Sequence, residues 1–174
     1  MRAMWVCLLV ASAIAVHAVY GAEPRGVEDA GASRLVGAPA PQFTVTTLDG
    51  RPVSLTNYRG KALPVNFWAT WCGNCKLKMP WLAELREQYA PQGFEILGIL
   101  TDNAPAEKTA GITRRYGVKY PILMCNHKTA QAYGGLPELP ESFFIDRRGR
   151  VVAEMTGADS KAAIEANIRK ALTH

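Results

Sequence analysis

The stretch Asn66–Pro80, NFWATWCGNCKLKMP, puts two cysteines two residues apart, directly behind an apolar run and directly ahead of a helix-like pattern. The run Ala62–Ala69 (ALPVNFWA) is nearly all apolar, as a strand covered on both faces must be. From Gly73 to about Tyr89, Leu77, Trp81, Leu82 and Leu85 recur at three- and four-residue spacing. That spacing predicts a helix, which Pro80 should kink. A strand that runs straight into Cys72 places this residue at the first turn of the helix. Unpaired backbone N–H groups and the helix dipole favour negative charge there, so a thiolate is stabilised. Cys75 lies one turn deeper on the same face and can close a disulfide with Cys72. Disulfide exchange follows: Cys72 attacks, a mixed disulfide forms, and Cys75 resolves it. A structural zinc would need a second ligand pair, and only Cys125-Asn126-His127 remains to supply one. A purely structural disulfide over so short a loop would gain little stability.

Outward from this segment, the pattern alternates. Phe94–Leu100 (FEILGIL) reads as another buried strand, Ala106–Tyr116 as a helix, Pro121–Met124 (PILM) as a short strand, and Thr129–Tyr133 as a short helix. ESFFID and RVVAEMTG read as a hairpin turning at Arg147–Gly149. Asp159 or Ser160 can cap a last helix with Ile164, Ile168 and Leu172 on its apolar side. Upstream, QFTVTTLDGRPVSL is two β-prone runs around Asp49-Gly50, a strong hairpin signal. The fold class is therefore α/β, with a mixed central sheet covered by helices on both faces.

The chain has 174 residues, 48% hydrophobic and 20% charged, which suits one globular domain. Net charge is +5, from 20 Lys and Arg against 15 Asp and Glu. Only Arg147-Arg148-Gly149-Arg150 is clustered, at a hairpin tip, and no basic stripe interleaved with aromatics points to nucleic acid. Residues 1–22 join one positive charge, an apolar run and small residues suited to cleavage, the pattern of a signal peptide. Left uncleaved, the run is marginal as an anchor, since about 20 apolar residues are needed and His17 interrupts it. Residues 23–36 read as a flexible tether and 37–174 as the folded domain. Export to the periplasm or cell envelope is expected, where disulfides persist.

FWATWCGNC, preceded by LDGRPVSLTNYRGK and followed much later by LPESFFIDRRGRV, resembles the TlpA/ResA/DsbE group of exported thioredoxin-like proteins over Gly37 to Leu172. The resemblance implies a thioredoxin fold with an added N-terminal β-hairpin. It also implies a thiol–disulfide oxidoreductase with no cofactor or metal beyond a redox-active Cys72–Cys75 disulfide. Pro140 would be a cis-proline facing the cysteines, and Leu139 would offer its backbone to an extended substrate strand, with Trp71 beside it. The implied partners are exported proteins with cysteines, apocytochrome c among them, and a membrane thiol reductant as electron donor. A monomer is expected.

The departures matter as well. Asn74 stands where the family usually has proline, Lys78 where many members have glutamate, and Asn66 where thioredoxins bury an aspartate. Neither usual base is present. Lys78 reads as a solvated helix-surface residue, or else as a charge that stabilises a thiolate. PES resembles the PET of the cytochrome-maturation branch, so Glu141 is a candidate for part of the proton work. Cys125 should end the PILM strand or follow it. If that strand is a parallel neighbour of the one ending at Ala69, Cys125 shares a rim with Cys72. It reads as a buried small hydrophobe, or with His127 as a third redox or metal group. Peroxidase chemistry needs a hydroxyl residue three positions before the cysteine and a proline seven before, where this chain has Ala69 and Val65. The rival from another class is copper delivery, with Cys72, Cys75, Cys125 and His127 as a Cu(I) site.

Overall fold

The computed structural model describes residues 35–157 and 159–174. The expectations for the first 34 residues, a signal peptide or anchor and most of a tether, lie outside the described residues. Leu35 packs against the core, and Gly37 N donates to Val151 O at 2.8 Å.

Among the described residues, seven strands form one sheet in the order β2-β1-β5-β4-β3-β6-β7. They are β1 (Thr44–Thr47), β2 (Pro52–Ser54), β3 (Leu63–Trp68), β4 (Leu97–Leu100), β5 (Ile122–Met124), β6 (Glu141–Ile145) and β7 (Val151–Thr156). The helices are α1 (Gly73–Tyr89), α2 (Ala106–Arg115), α3 (His127–Ala132) and α4 (Lys161–Thr173). β3, β4 and β5 run parallel, whereas β1–β2, β1–β5, β3–β6 and β6–β7 are antiparallel. This is the thioredoxin fold with an added N-terminal hairpin. That hairpin turns at Asp49-Gly50, where Gly50 takes φ +83° and Thr47 N donates to Arg51 O at 2.8 Å. Only a residue without a Cβ adopts that angle at no cost. Ser160 rather than Asp159 caps α4, its hydroxyl accepting from Ala163 N at 3.2 Å.

Alternation along β3 sorts the core into faces. Val65 and Phe67 join Leu97, Ile99, Leu123, Tyr133, Phe143 and Ile145 on one side. On the other, Leu82, Leu85 and Tyr89 of α1 and Ile164, Ile168 and Ala171 of α4 meet Phe144, Ala153 and Met155. At the carboxyl end of β3, a third cluster joins Trp68, Ala69, Cys72, Cys75, Met79 and Leu100.

Two expectations are corrected. Leu77 is 61% exposed, so it is not part of the buried stripe of α1, which is Cys75, Lys78, Met79, Leu82, Leu85 and Tyr89. The three-and-four spacing holds when counted from Cys75, and counting from Leu77 rotates the face. Second, β3 and β5 are not neighbours, because β4 lies between and pairs with both. Cys125 follows β5 at the carboxyl rim of the parallel strands, two strands from β3.

At the centre of β4, a Cβ on Gly98 would lie 2.6 Å from Ile122 Cδ1 and 3.1 Å from Tyr120 Cε2. Gly98→Val should therefore destabilise the fold by about 1–3 kcal/mol through overpacking. Urea denaturation checks this, and an unchanged midpoint would show that β4 has slack the packing denies.

Candidate active site

Cys72 is the N-cap of α1, with extended backbone angles (φ −76°, ψ 110°), and its sulfur accepts the Cys75 N–H at 3.1 Å. The two cysteines are joined by a disulfide with their Cα atoms 5.3 Å apart. Both are buried, while Trp71 next to them is 70% exposed. Asp102, just beyond β4, holds the turn ahead of the cysteines. Its Oδ2 accepts from Thr70 N at 3.2 Å and from Thr70 Oγ1 at 2.6 Å. Sequence reasoning missed this residue, although an acid just past a buried strand on the active rim was the available signal. The Leu139–Pro140 bond is cis, Pro140 is buried, and Leu139 packs against the cluster that holds both cysteines.

Lys78 is not a solvated surface residue, being 1% exposed. Its Nζ donates to Ser142 Oγ at 3.4 Å and to Gly157 O at 3.2 Å, with Met155 Sδ at 3.8 Å. Ser142 Oγ donates in turn to Asn66 Oδ1 at 2.9 Å, an arrangement fixed by the β3–β6 register that pairs the two residues. The sequence treated Asn66 and Lys78 as separate departures, yet the fold joins them through Ser142. Burial pushes the Lys78 ammonium down to about 8 from 10.5, partly offset by the charge of Asp159.

Glu141 does not join this network. It lines a cleft of about 370 Å³ with Glu154, Tyr133, Gln131 and Phe143, on the sheet face opposite Ser142. Burial raises its carboxyl to about 7, helped by the hydrogen bond and charge shared with Glu154. Cys125 is half-buried, its Sγ donating to Asn126 O at 3.4 Å, and burial pushes its thiol up. Among the described residues, no three His, Cys, Asp or Glu side chains gather as a metal site. Cys125 and His127 therefore do not join the cysteine pair in a ligand cluster.

A helix-capping cysteine, a second cysteine one turn on and a cis-proline loop against them define a thiol–disulfide exchange site on a thioredoxin fold. The sequence profile of the AhpC/TSA family matches residues 36–154, and the chain belongs to that family as a thioredoxin-like thiol–disulfide oxidoreductase. It is similar to the thiol–disulfide oxidoreductase ResA of Geobacillus thermodenitrificans, with 38% identity over 76% of each chain. With ResA of Bacillus subtilis it shares 31% identity over 90% of this chain and 85% of that one. Among solved structures, a thiol:disulfide interchange protein of the thioredoxin family from Chlorobium tepidum superposes with a TM-score of 0.69. The two are 32% identical over 81% of this chain and 99% of that one.

The Lys78 shift carries a stability consequence. The folded amine releases its proton near pH 8 and the unfolded one near 10.5, so the unfolded state holds more protons across that window. Stability should therefore rise with pH from about 8 to about 10.5, and at neutral pH the buried charge costs on the order of 3 kcal/mol. Lys78→Met should stabilise the oxidised protein at pH 7 by roughly 1–3 kcal/mol, with the gain fading above pH 10. Urea titrations of both proteins across this range test the difference. A variant less stable at pH 7 would mean that the hydrogen bonds of the amine outweigh its desolvation.

Proposed function

We propose that this protein is exported and reduces disulfides in cysteine-containing proteins of the cell envelope, apocytochrome c among them. A membrane thiol reductant resupplies its electrons. The observation that carries the reading is Cys72 at the N-cap of α1, its sulfur already accepting a backbone N–H, with Leu139 of the cis Leu139–Pro140 bond packed against the cysteine cluster. The same N–H and the dipole of a 17-residue helix stabilise a thiolate on Cys72 once the disulfide is reduced. That thiolate attacks a substrate disulfide, and one substrate sulfur leaves with the bonding electron pair. Cys75 then attacks Cys72, and the second substrate thiol is released. Exposed Trp71 and Leu77 offer apolar surface to the substrate segment, and the Leu139 backbone offers it an extended partner. Glu141, held near neutrality, supplies a proton reservoir next to Pro140 in the chain. Support for export is the charged, apolar, then small-residue pattern of residues 1–22. Among the described residues, no helix is long and apolar enough to cross a membrane.

Cys75→Ser tests the assignment, because without the resolving thiol the mixed disulfide at Cys72 persists. Affinity purification of this variant from the cell envelope should recover partners that reductant releases and that a Cys72→Ser,Cys75→Ser control does not hold. Recovery of nothing beyond the control would remove the substrate-reductase reading.

A further inference from the structure

Cys75 and Lys78 are three residues apart on α1, and both lie on its buried face, 2% and 1% exposed. Side chains at this spacing are neighbours, with Cβ atoms about 5–6 Å apart. Among the described residues, the groups that Lys78 Nζ donates to are neutral: Ser142 Oγ, Gly157 O and Met155 Sδ. Among the described residues, no carboxylate lies within ion-pair distance of it, and Asp159 acts on it only from farther off. Asn66, Ser142 and Met155, which this network draws from β3, β6 and β7, carry no charge. The acids of β6 and β7, Glu141 and Glu154, line the cleft on the other sheet face. A buried ammonium without an anion is expensive to keep. While the disulfide is closed, the described residues offer it no anion within ion-pair distance, and Asp159 answers it only from farther off. Reduction of Cys72–Cys75 creates an ionisable thiol on Cys75, one helical turn from Lys78 along the buried face of α1.

We propose that Lys78 is the counter-charge of the resolving cysteine, its ammonium stabilising the Cys75 thiolate that closes the disulfide. In the mixed disulfide, the Cys75 thiol gives its proton to water, and the neighbouring ammonium makes this loss easier. The thiolate electron pair then forms the Cys75–Cys72 bond, and the bond between Cys72 and the substrate sulfur breaks. The substrate leaves as a thiolate with that pair and takes a proton from solvent. Two electrons have passed from the cysteine pair to the substrate, and Lys78 ends charged as it began. Lys78 acts through Cys75 and touches no substrate.

The same amine has a mechanical end. It holds Gly157 O, and Gly157 N donates to Pro140 O at 2.8 Å, so Lys78 also ties α1 to the proline loop. The test must separate charge from tether. The inference rests on Cys72 and Cys75 being the exchanging pair, and reading Cys75 alone lets the two ideas fail separately. In a Cys72→Ser background, the alkylation rate of Cys75 is followed against pH, with the labelled peptide identified by mass spectrometry. The midpoint of the pH profile gives the thiol ionisation regardless of how accessible Cys75 is. Lys78→Met should raise that midpoint by about 1–3 pH units, and Lys78→Glu should raise it further. Lys78→Gln keeps a donor for Ser142 and replaces the methionine variant if that one fails to fold. A midpoint unmoved in Lys78→Met or Lys78→Gln would overturn the proposal, leaving Lys78 as a tie between α1 and the proline loop. A shifted midpoint in a protein whose intact pair exchanges no disulfides would uphold the Lys78 effect and sink the oxidoreductase mechanism instead.

Discussion

The sulfur of Cys72 accepts the Cys75 N–H, and where that single contact sits governs the rest of the rim. It exists because β3 delivers the chain to a point where one residue must leave extended geometry and the next must begin a helix. The register of β3 is fixed, since a one-residue slip would turn Val65 and Phe67 out of their cluster and the polar Asn66 into it. The register of β3 against β6 then sets Asn66 opposite Ser142 and Phe67 opposite Glu141, which leaves the Leu139–Pro140 loop against the cysteines. Asp102 enters from β4 and clamps Thr70, so the turn is held from a third strand. The placement of the Cys72–Cys75 disulfide is thus a consequence of sheet register, one layer down.

Beneath this rim, the protein departs from what stability alone would select. Asn66, Ser142 and Lys78 occupy sites between α1 and the sheet that apolar residues could fill, and the lysine keeps its charge against burial. Polar groups retained at a cost beside reactive sulfurs are a common mark of a working site. The carboxyl pair of Glu141 and Glu154 sits on the other face of the same two strands. Acidic and basic side chains are thereby kept apart by the thickness of the sheet.

Much of this was legible in the residues. Two cysteines at the junction of an apolar run and a helical pattern located the Cys72–Cys75 disulfide at the start of α1, and Asp49-Gly50 and Arg147–Gly149 marked both hairpins. The Leu139–Pro140 loop followed from motif resemblance, since no local pattern distinguishes it. The phase of α1 was not legible. Leu77 looked like core and Lys78 like surface because polarity usually reports burial, and here Ser142 and Gly157 O reverse that rule for the lysine. The partnership of Thr70 with Asp102 spans 32 residues and depends on β3 lying beside β4, which spacing alone does not reveal.

The central claim is that Cys72 and Cys75 form a reversible redox couple and not a structural clip. Equilibration of the protein in glutathione buffers of graded potential, followed by acid quenching, alkylation and mass spectrometry, tests it most directly. The account predicts one two-electron transition in which both cysteines change from disulfide to thiol together while Cys125 keeps its state throughout. A pair that stays oxidised in every buffer, or a transition in which Cys125 replaces Cys72 or Cys75 in the disulfide, would contradict it.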